Sequence, residues 1–267
     1  MKLAIALAIA SSLLVAGGLY QAYNSIDQAV EPIPTPVYDT WIHWKQRNGK
    51  SYGTNTEEDY RLQMFAKNFQ YITTKSKPHH TFTMNLNQFA DMDLDEFIAT
   101  FGGIKGDHQL LKAEFQTLPE PENFKGSSKD WRGVAVTRVK NQGQCGSCWA
   151  FSTTGSIEGA YAIKNGLIKS FSEQQLVDCN SSNHGCHGGM MMGGFDYVHD
   201  KGILEESQYQ YTATDGYCQY TMKVTDTSKL VHVSGYTMVP SDDQNQLAIA
   251  IDKQPVSVAI IVTTAVH

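Results

Sequence analysis

Positive charge is scarce in this chain. Across 267 residues, 21 Lys and Arg stand against 27 Asp and Glu, giving a formal net charge of −6 and a pI near 5.8. Such a balance offers no basic surface for a phosphate backbone, which excludes nucleic acid as a partner class. Long apolar runs are scarce too. Leu3–Leu19 is apolar apart from Ser11, Ser12, Gly17 and Gly18. With Lys2 before it and small residues at Ala16 and Gly18, it reads as a signal peptide over residues 1–18. It is short for an uncleaved membrane anchor, so no stable membrane insertion is expected after cleavage. Cysteine is limited to five, Cys145, Cys148, Cys179, Cys186 and Cys218. In the oxidising compartment that a signal peptide implies, an odd count leaves at least one thiol unpaired, or paired outside the chain. Cys145-x-x-Cys148 is open to reading as a redox pair or half a zinc site. Zinc needs a second pair of matching spacing, and Cys179 and Cys186 are seven apart, so no metal site is expected. The hydrophobic fraction of 41% and charged fraction of 18% are those of an ordinary globular protein, long enough to bury a real core.

What is present centres on Gln142-Gly143-Gln144-Cys145-Gly146-Ser147-Cys148-Trp149-Ala150-Phe151-Ser152. A glycine-rich turn delivers Cys148 to the start of a predicted helix, with Ser147 as the expected N-cap. The partial positive charge at a helix N-terminus favours thiolate, which makes Cys148 a candidate nucleophile. The helix is expected to end at Asn165-Gly166, and Ser172-Glu173-Gln174-Gln175 reads as a capping box opening another that runs into Cys179. Upstream, residues 19–37 read as a linker with Pro32, Pro34 and Pro36. Tyr38–Ser76 follows as amphipathic helix broken at Gly53, with Trp41, Trp44, Arg61, Phe65, Asn68 and Ile72 at three- and four-residue steps. A short helix is expected over Asp91–Phe97, and a turn-rich extended stretch begins at Gly102-Gly103. Downstream, Val231–Val239 alternates like a strand, Leu247–Ile251 reads as a short helix, and Gly193-Gly194 should loosen the helix that contains them.

Cys145-Gly146-Ser147-Cys148-Trp149 satisfies the C-G-[SA]-C-[WY] signature of papain and the cathepsins. Upstream, Glu57, Arg61, Met64, Phe65, Asn68 and Ile72, then Asn85, Asn87, Phe89 and Asp91, resemble the two motifs of the inhibitory prodomain in the cathepsin L-like subfamily. Ser76 stands where that pattern ends in Asn, and Asn85 where it begins with Gly. The chain thus resembles the precursor of a papain-like cysteine protease from Tyr38 to Ile260. The resemblance implies an α+β, two-lobe papain-like fold, with a helical lobe and an incomplete β-barrel lobe. It places a helical inhibitor prodomain at 38–98, a cleft-crossing pro-segment at 99–125 with the maturation cut between about Thr117 and Lys129, and a peptidase domain at 126–267.

It further implies Cys148 as nucleophile and Gln142 as oxyanion donor beside the Cys148 backbone N–H. Gly188 and Gly189 would pair with substrate backbone, and Met190, Met191 and Ala259 would line a pocket for a bulky apolar residue two before the scissile bond. By the same likeness the disulfides are Cys145–Cys186 and Cys179–Cys218. Asn180-Ser181-Ser182 is a glycosylation acceptor. No cofactor is required. The expected partners are peptide or protein substrates and the chain's own prodomain, in a monomer that travels the secretory pathway to a lysosome or vacuole, or outside the cell. The family's His and Asn follow the nucleophile by about 130–150 residues, further than His267. His184, His187, His199 and His232 sit in segments that do not supply the base. As written, the chain is therefore expected to be inactive alone. The alternative reading is a dead relative that acts as a protease inhibitor or a peptide-binding module.

Overall fold

A computed structural model describes residues 33–104, 118–119 and 128–260. The expected signal peptide, His267 and most of the stretch that would carry the maturation cut lie outside the described residues. The chain divides into two compact units, Met1–Met92 and Asp93–His267.

In the first unit, α1 spans Thr35–Asn48 and α2 spans Asn55–Lys75. α1 takes in Pro36, which the sequence reading left in a linker. A proline in the first helical turn lacks only an N–H that would have no intrahelical partner anyway. The carbonyl of Pro34 accepts from the N–H groups of Val37 and Tyr38. Gly49, at φ 62°, closes α1 in the left-handed region. Thr54 caps α2 by accepting from Glu57 N–H at 3.2 Å, while Glu57 Oε2 accepts from Gly53 N–H at 3.4 Å. Trp41, Trp44, Phe65 and Ala90 form the core, and the Phe65 ring lies 5.2 Å from each tryptophan. Each such aromatic removes about 200 Å² from water, on the order of 5 kcal/mol before the entropy cost is subtracted.

The prodomain motif residues converge on the segment after α2. Trp44 Nε1 donates to Asn87 O, and Asn68 Nδ2 donates to the carbonyls of Ala90 and Met92, both at 2.9 Å. Arg61 reaches the Asp91 carbonyl at 3.3 Å and lies 3.9 Å from Glu57. The carboxylate of buried Asp91 accepts from Lys50 at 2.9 Å and from the Tyr52 hydroxyl at 2.8 Å. Asn87 Oδ1 accepts from Phe89 N–H, tightening the turn between them. Phe89 and Ile72 are half-buried.

In the second unit, α3 spans Leu94–Phe101, α4 Cys148–Asn165, α5 Glu173–Cys179, α6 Met191–Lys201, α7 Tyr220–Lys223 and α8 Gln244–Lys253. Trp149, Ile157, Phe171, Leu176, Met191, Val198 and Ile203 form its core around α4. Gly166, at φ 66°, ends α4 as its sequence predicts. Ser172 makes half of the capping box by accepting from Gln175 N–H. Gln175 does not reach back. Its side chain is spent on Gly202 O and Leu204 N–H, which ties α5 to the chain leaving α6. Gly194 does not loosen α6. A Cβ there would lie 2.5 Å from Thr153 Oγ1, so the bare backbone lets α6 press onto α4. Val231–Val239 forms no strand among the described residues. Among the described residues it carries two isolated bridge positions, Val231, which pairs antiparallel with Ile203, and Met238, because alternation alone supplies no partner for the remaining N–H and C=O groups. The segment Gln254–Ile260 is likewise extended and unpaired as sheet, and is held to α4 by Ser257 Oγ donating to Ser152 O.

Candidate active site

The loop before α4 is held in shape at several points. Gly143 turns at φ 60°. The Cys145–Cys186 disulfide ties the loop to the Gly185–His187 turn, and Gly146 N–H donates to Cys186 O at 2.8 Å. A Cβ on Gly146 would lie 2.6 Å from that carbonyl, so the approach requires glycine. Trp149 Nε1 closes the other side by donating to Gly185 O. The second disulfide joins Cys179 and Cys218, which leaves Cys148 as the free thiol.

Cys148 is the first residue of α4, where the helix leaves its N–H groups unpaired. Ser147 occupies the N-cap position but caps nothing; its hydroxyl is turned to the Tyr211 hydroxyl at 2.6 Å. Burial pushes the Cys148 thiol above its ordinary 9.0, while the N–H groups of Gly103, Trp149 and Cys148 itself pull against that rise. The thiolate expected from a helix N-terminus is therefore suppressed here, because covering the sulfur costs the charged form more than three dipoles return. Gln142 Nε2 donates to Cys145 O at 2.7 Å and to Phe101 O at 3.3 Å. The amide expected to receive an oxyanion thus meets a carbonyl at the end of α3.

That carbonyl begins a stretch that covers the thiol. Gly103 is buried, and a Cβ on it would lie 2.1 Å from Gly146 O and 2.9 Å from Cys148 Sγ. Gly103 O accepts from Gly189 N–H at 2.8 Å, and Ile104 pairs with Gly189 as an isolated parallel bridge. Gly188 sits at φ 109°, and both glycines are buried. Asn183 fixes the residue after them. Its Oδ1 accepts from Met190 N–H at 2.8 Å and its Nδ2 donates to Met190 O. The backbone groups expected to take substrate are thus engaged by residues 101–104.

The two methionines part company. Met190 is half-buried at the edge of this region, whereas Met191 is packed into the core and is not available to line a pocket. Of three adjacent apolar residues at a helix start, one turns inward. Ala259 is exposed in the extended segment. Asn180 is only 5% exposed; its Nδ2 donates to Gly193 O and its Oδ1 accepts from Ser182. A glycan on Asn180 would need that buried Nδ2 to leave Gly193 O. His184, His187, His199 and His232 are exposed. Among the described residues, no imidazole figures in the interactions that set the ionisation of Cys148.

Sequence reasoning missed a buried charged cluster beneath the loop. Lys140 Nζ donates to Glu158 Oε1 at 2.5 Å and to Glu173 Oε1 at 2.6 Å, and Thr154 donates to Glu173. Burial pushes Glu173 up to about 7, against the pull of Lys140. Glu158 among the apolar residues of α4 was the available signal. Beside the cluster lies a cavity of about 270 Å³, lined by Thr137, Lys140, Gln142, Phe151, Gly155 and Glu158.

A free thiol at a helix start, a glutamine amide six residues before it, two disulfides bracing the loop and a chain segment laid over the sulfur define a shielded thiol site of the cysteine-protease class. Residues 126–267 match the family described as papain family cysteine protease, and residues 41–97 match the cathepsin propeptide inhibitor domain. The chain is 37% identical to cathepsin L 2 of Paramecium tetraurelia over 259 residues, covering 93% of this chain and 77% of that protein. It is 39% identical to vignain of Vigna mungo over 232 residues, 84% of this chain and 63% of vignain. Among solved structures, digestive procathepsin L 3 of Tenebrio molitor larval midgut matches with a TM-score of 0.70 at 40% identity, covering 82% of this chain and 71% of that one. The chain belongs to the papain family of cysteine proteases and carries the cathepsin-type propeptide inhibitor domain. It spans less than two thirds of vignain's length and about three quarters of the Paramecium protein's.

Proposed function

We propose that this chain is the zymogen of a cathepsin L-like cysteine endopeptidase, held latent by its own pro-segment. The observation that carries the reading is Gly103, seated on the Cys148 sulfur while Phe101 O takes the Gln142 amide and Gly103 O takes Gly189 N–H. In the reaction, Cys148 Sγ bonds to the peptide carbonyl carbon, and the carbonyl electron pair moves to oxygen. Gln142 Nε2 and the Cys148 N–H donate to that oxygen. An imidazole, which the described residues do not place at Cys148, would take the thiol proton as Sγ bonds and return it to the amine as the C–N bond breaks, after which water hydrolyses the thioester.

Met190 supports a preference for a bulky apolar residue two before the scissile bond, with Ala259 as the second lining residue and Met191 acting from the core behind. The buried Asp91 carboxylate, paired with Lys50, holds the prodomain motif together. The likeness to cathepsin L-like proteins supports a lysosomal, vacuolar or extracellular site of action. The test is competition between two peptidyl chloromethyl ketones on the chain cut within residues 105–127, one with Leu and one with Asp two before the reactive group. Cys148 should take the Leu reagent at least about tenfold faster. Equal rates would refute the assigned pocket.

A further inference from the structure

Tyr211 lies 63 residues beyond the nucleophile in sequence, yet its hydroxyl touches both ends of the loop that carries the chemistry. It donates to Gln142 O at 2.7 Å and lies 2.6 Å from Ser147 Oγ. A phenol has one proton, so with that proton on Gln142 O the second contact is Ser147 donating to Tyr211. Ser147 is fully buried and its other contact, Cys145 O, lies 3.5 Å away, so breaking this relay would leave its hydroxyl with one long hydrogen bond. The Tyr211 ring is itself fixed. It stands edge-on to Phe151 of α4, with centroids 4.9 Å apart and planes at 82°, and its N–H donates to Glu206 Oε1.

We propose that Tyr211 is a positioning residue for the oxyanion donors of the hydrolytic reaction described above, on which this role rests, tying the Gln142 and Ser147 ends of the loop to one hydroxyl. The first end is the backbone of Gln142, from whose Cα the donor side chain springs. The second is Ser147, whose peptide bond to Cys148 carries the other donor N–H. Anchoring both through one atom fixes the two donors relative to each other and to Cys148 Sγ. The disulfide at Cys145 and the Gly146–Cys186 hydrogen bond restrain the middle of the loop, and Ser147 N–H donates to Cys145 O at 2.8 Å; the Tyr211 hydroxyl adds the tie that joins the Gln142 end to the Ser147 end. The relay also explains why Ser147 stands at the N-cap without capping: its hydroxyl serves the loop instead of the helix.

The test compares the full chain with Tyr211→Phe, which keeps the ring and removes only the hydroxyl, and with Ser147→Ala, which cuts the relay at its other end. Two quantities are read. One is amide hydrogen exchange at Gly143, Gly146 and Ser147. The other is the pH profile of Cys148 alkylation by iodoacetamide, which needs no substrate and no turnover. Loss of positioning should speed exchange at these amides about tenfold. It should also move the alkylation midpoint upward by roughly half a unit or more, as the Cys148 N–H swings from the sulfur. Exposed Tyr217→Phe should change neither. A lower melting temperature with an unshifted pH profile and unchanged loop exchange would reduce Tyr211 to a packing residue and overturn the proposal. Should one variant fail to fold, the other decides by the same two readings. Failure of the peptide reagents to label the cut wild-type chain would count against the endopeptidase reading, and the loop measurements would stand apart from it.

Discussion

Replacing Gly103 with alanine should uncover Cys148. The new Cβ would lie 2.1 Å from Gly146 O and 2.5 Å from Gly146 C. Both are backbone atoms of a loop pinned by a disulfide, so the loop cannot move aside. The segment over the thiol must lift instead. Lifting breaks the Gly189 N–H to Gly103 O bond and withdraws the Gly103 N–H from the sulfur. At about 0.5–1.5 kcal/mol for each contact, the covered state loses roughly 1–3 kcal/mol. An open population larger by about 5- to 160-fold follows. The assay is the alkylation rate of Cys148 by iodoacetamide on the full chain, read by mass spectrometry, with Gly155→Ala as control because a Cβ there meets nothing within 4 Å. The control should stay within about twofold of wild type. An unchanged rate in Gly103→Ala would refute the claim that this glycine seals the site.

Two further outcomes follow from buried carboxylates. Asp91→Ala strands Lys50 and Tyr52 without their shared acceptor and should destabilise the first unit by about 3 kcal/mol, read by urea unfolding with Trp41 and Trp44 fluorescence. A shift below about 0.5 kcal/mol would show that the pair holds nothing. Glu173, raised from its ordinary 4.5 to about 7 by burial, favours the protonated fold. The stability it contributes is full below about pH 4.5 and is lost as pH rises through about 7, so the melting temperature should fall across that window and Glu173→Gln should flatten the fall. An identical slope in the variant would assign the dependence to other groups.

Much of this arrangement was legible in the sequence, and the exceptions share a cause. Helix starts and stops with local chemistry could be read directly: Gly166 ending α4, the break at Gly53 before α2, and the tryptophan spacing of α1. The local signature around Cys148 carried the loop, its glycines and its thiol. Features that depend on distant partners could not be read. The serine at the N-cap is drawn off by a tyrosine 64 positions away, and Gln175 is taken from its capping box by residues 202 and 204. Gly194 was judged by propensity, whereas its neighbour Thr153 on another helix decides its role. Met190 and Met191 are indistinguishable until the fold turns one inward. The thiol's ionisation was misjudged because the helix terminus was visible in sequence and the Gly103 cover was not.

The most direct test of a shielded nucleophile is the labelling of Cys148 by iodoacetamide before and after a single cut within residues 105–127. The structure predicts slow labelling of the intact chain, rapid labelling of Cys148 once the segment over it is released, and no such gain in Cys148→Ala. Equal labelling of Cys148 before and after the cut would contradict it.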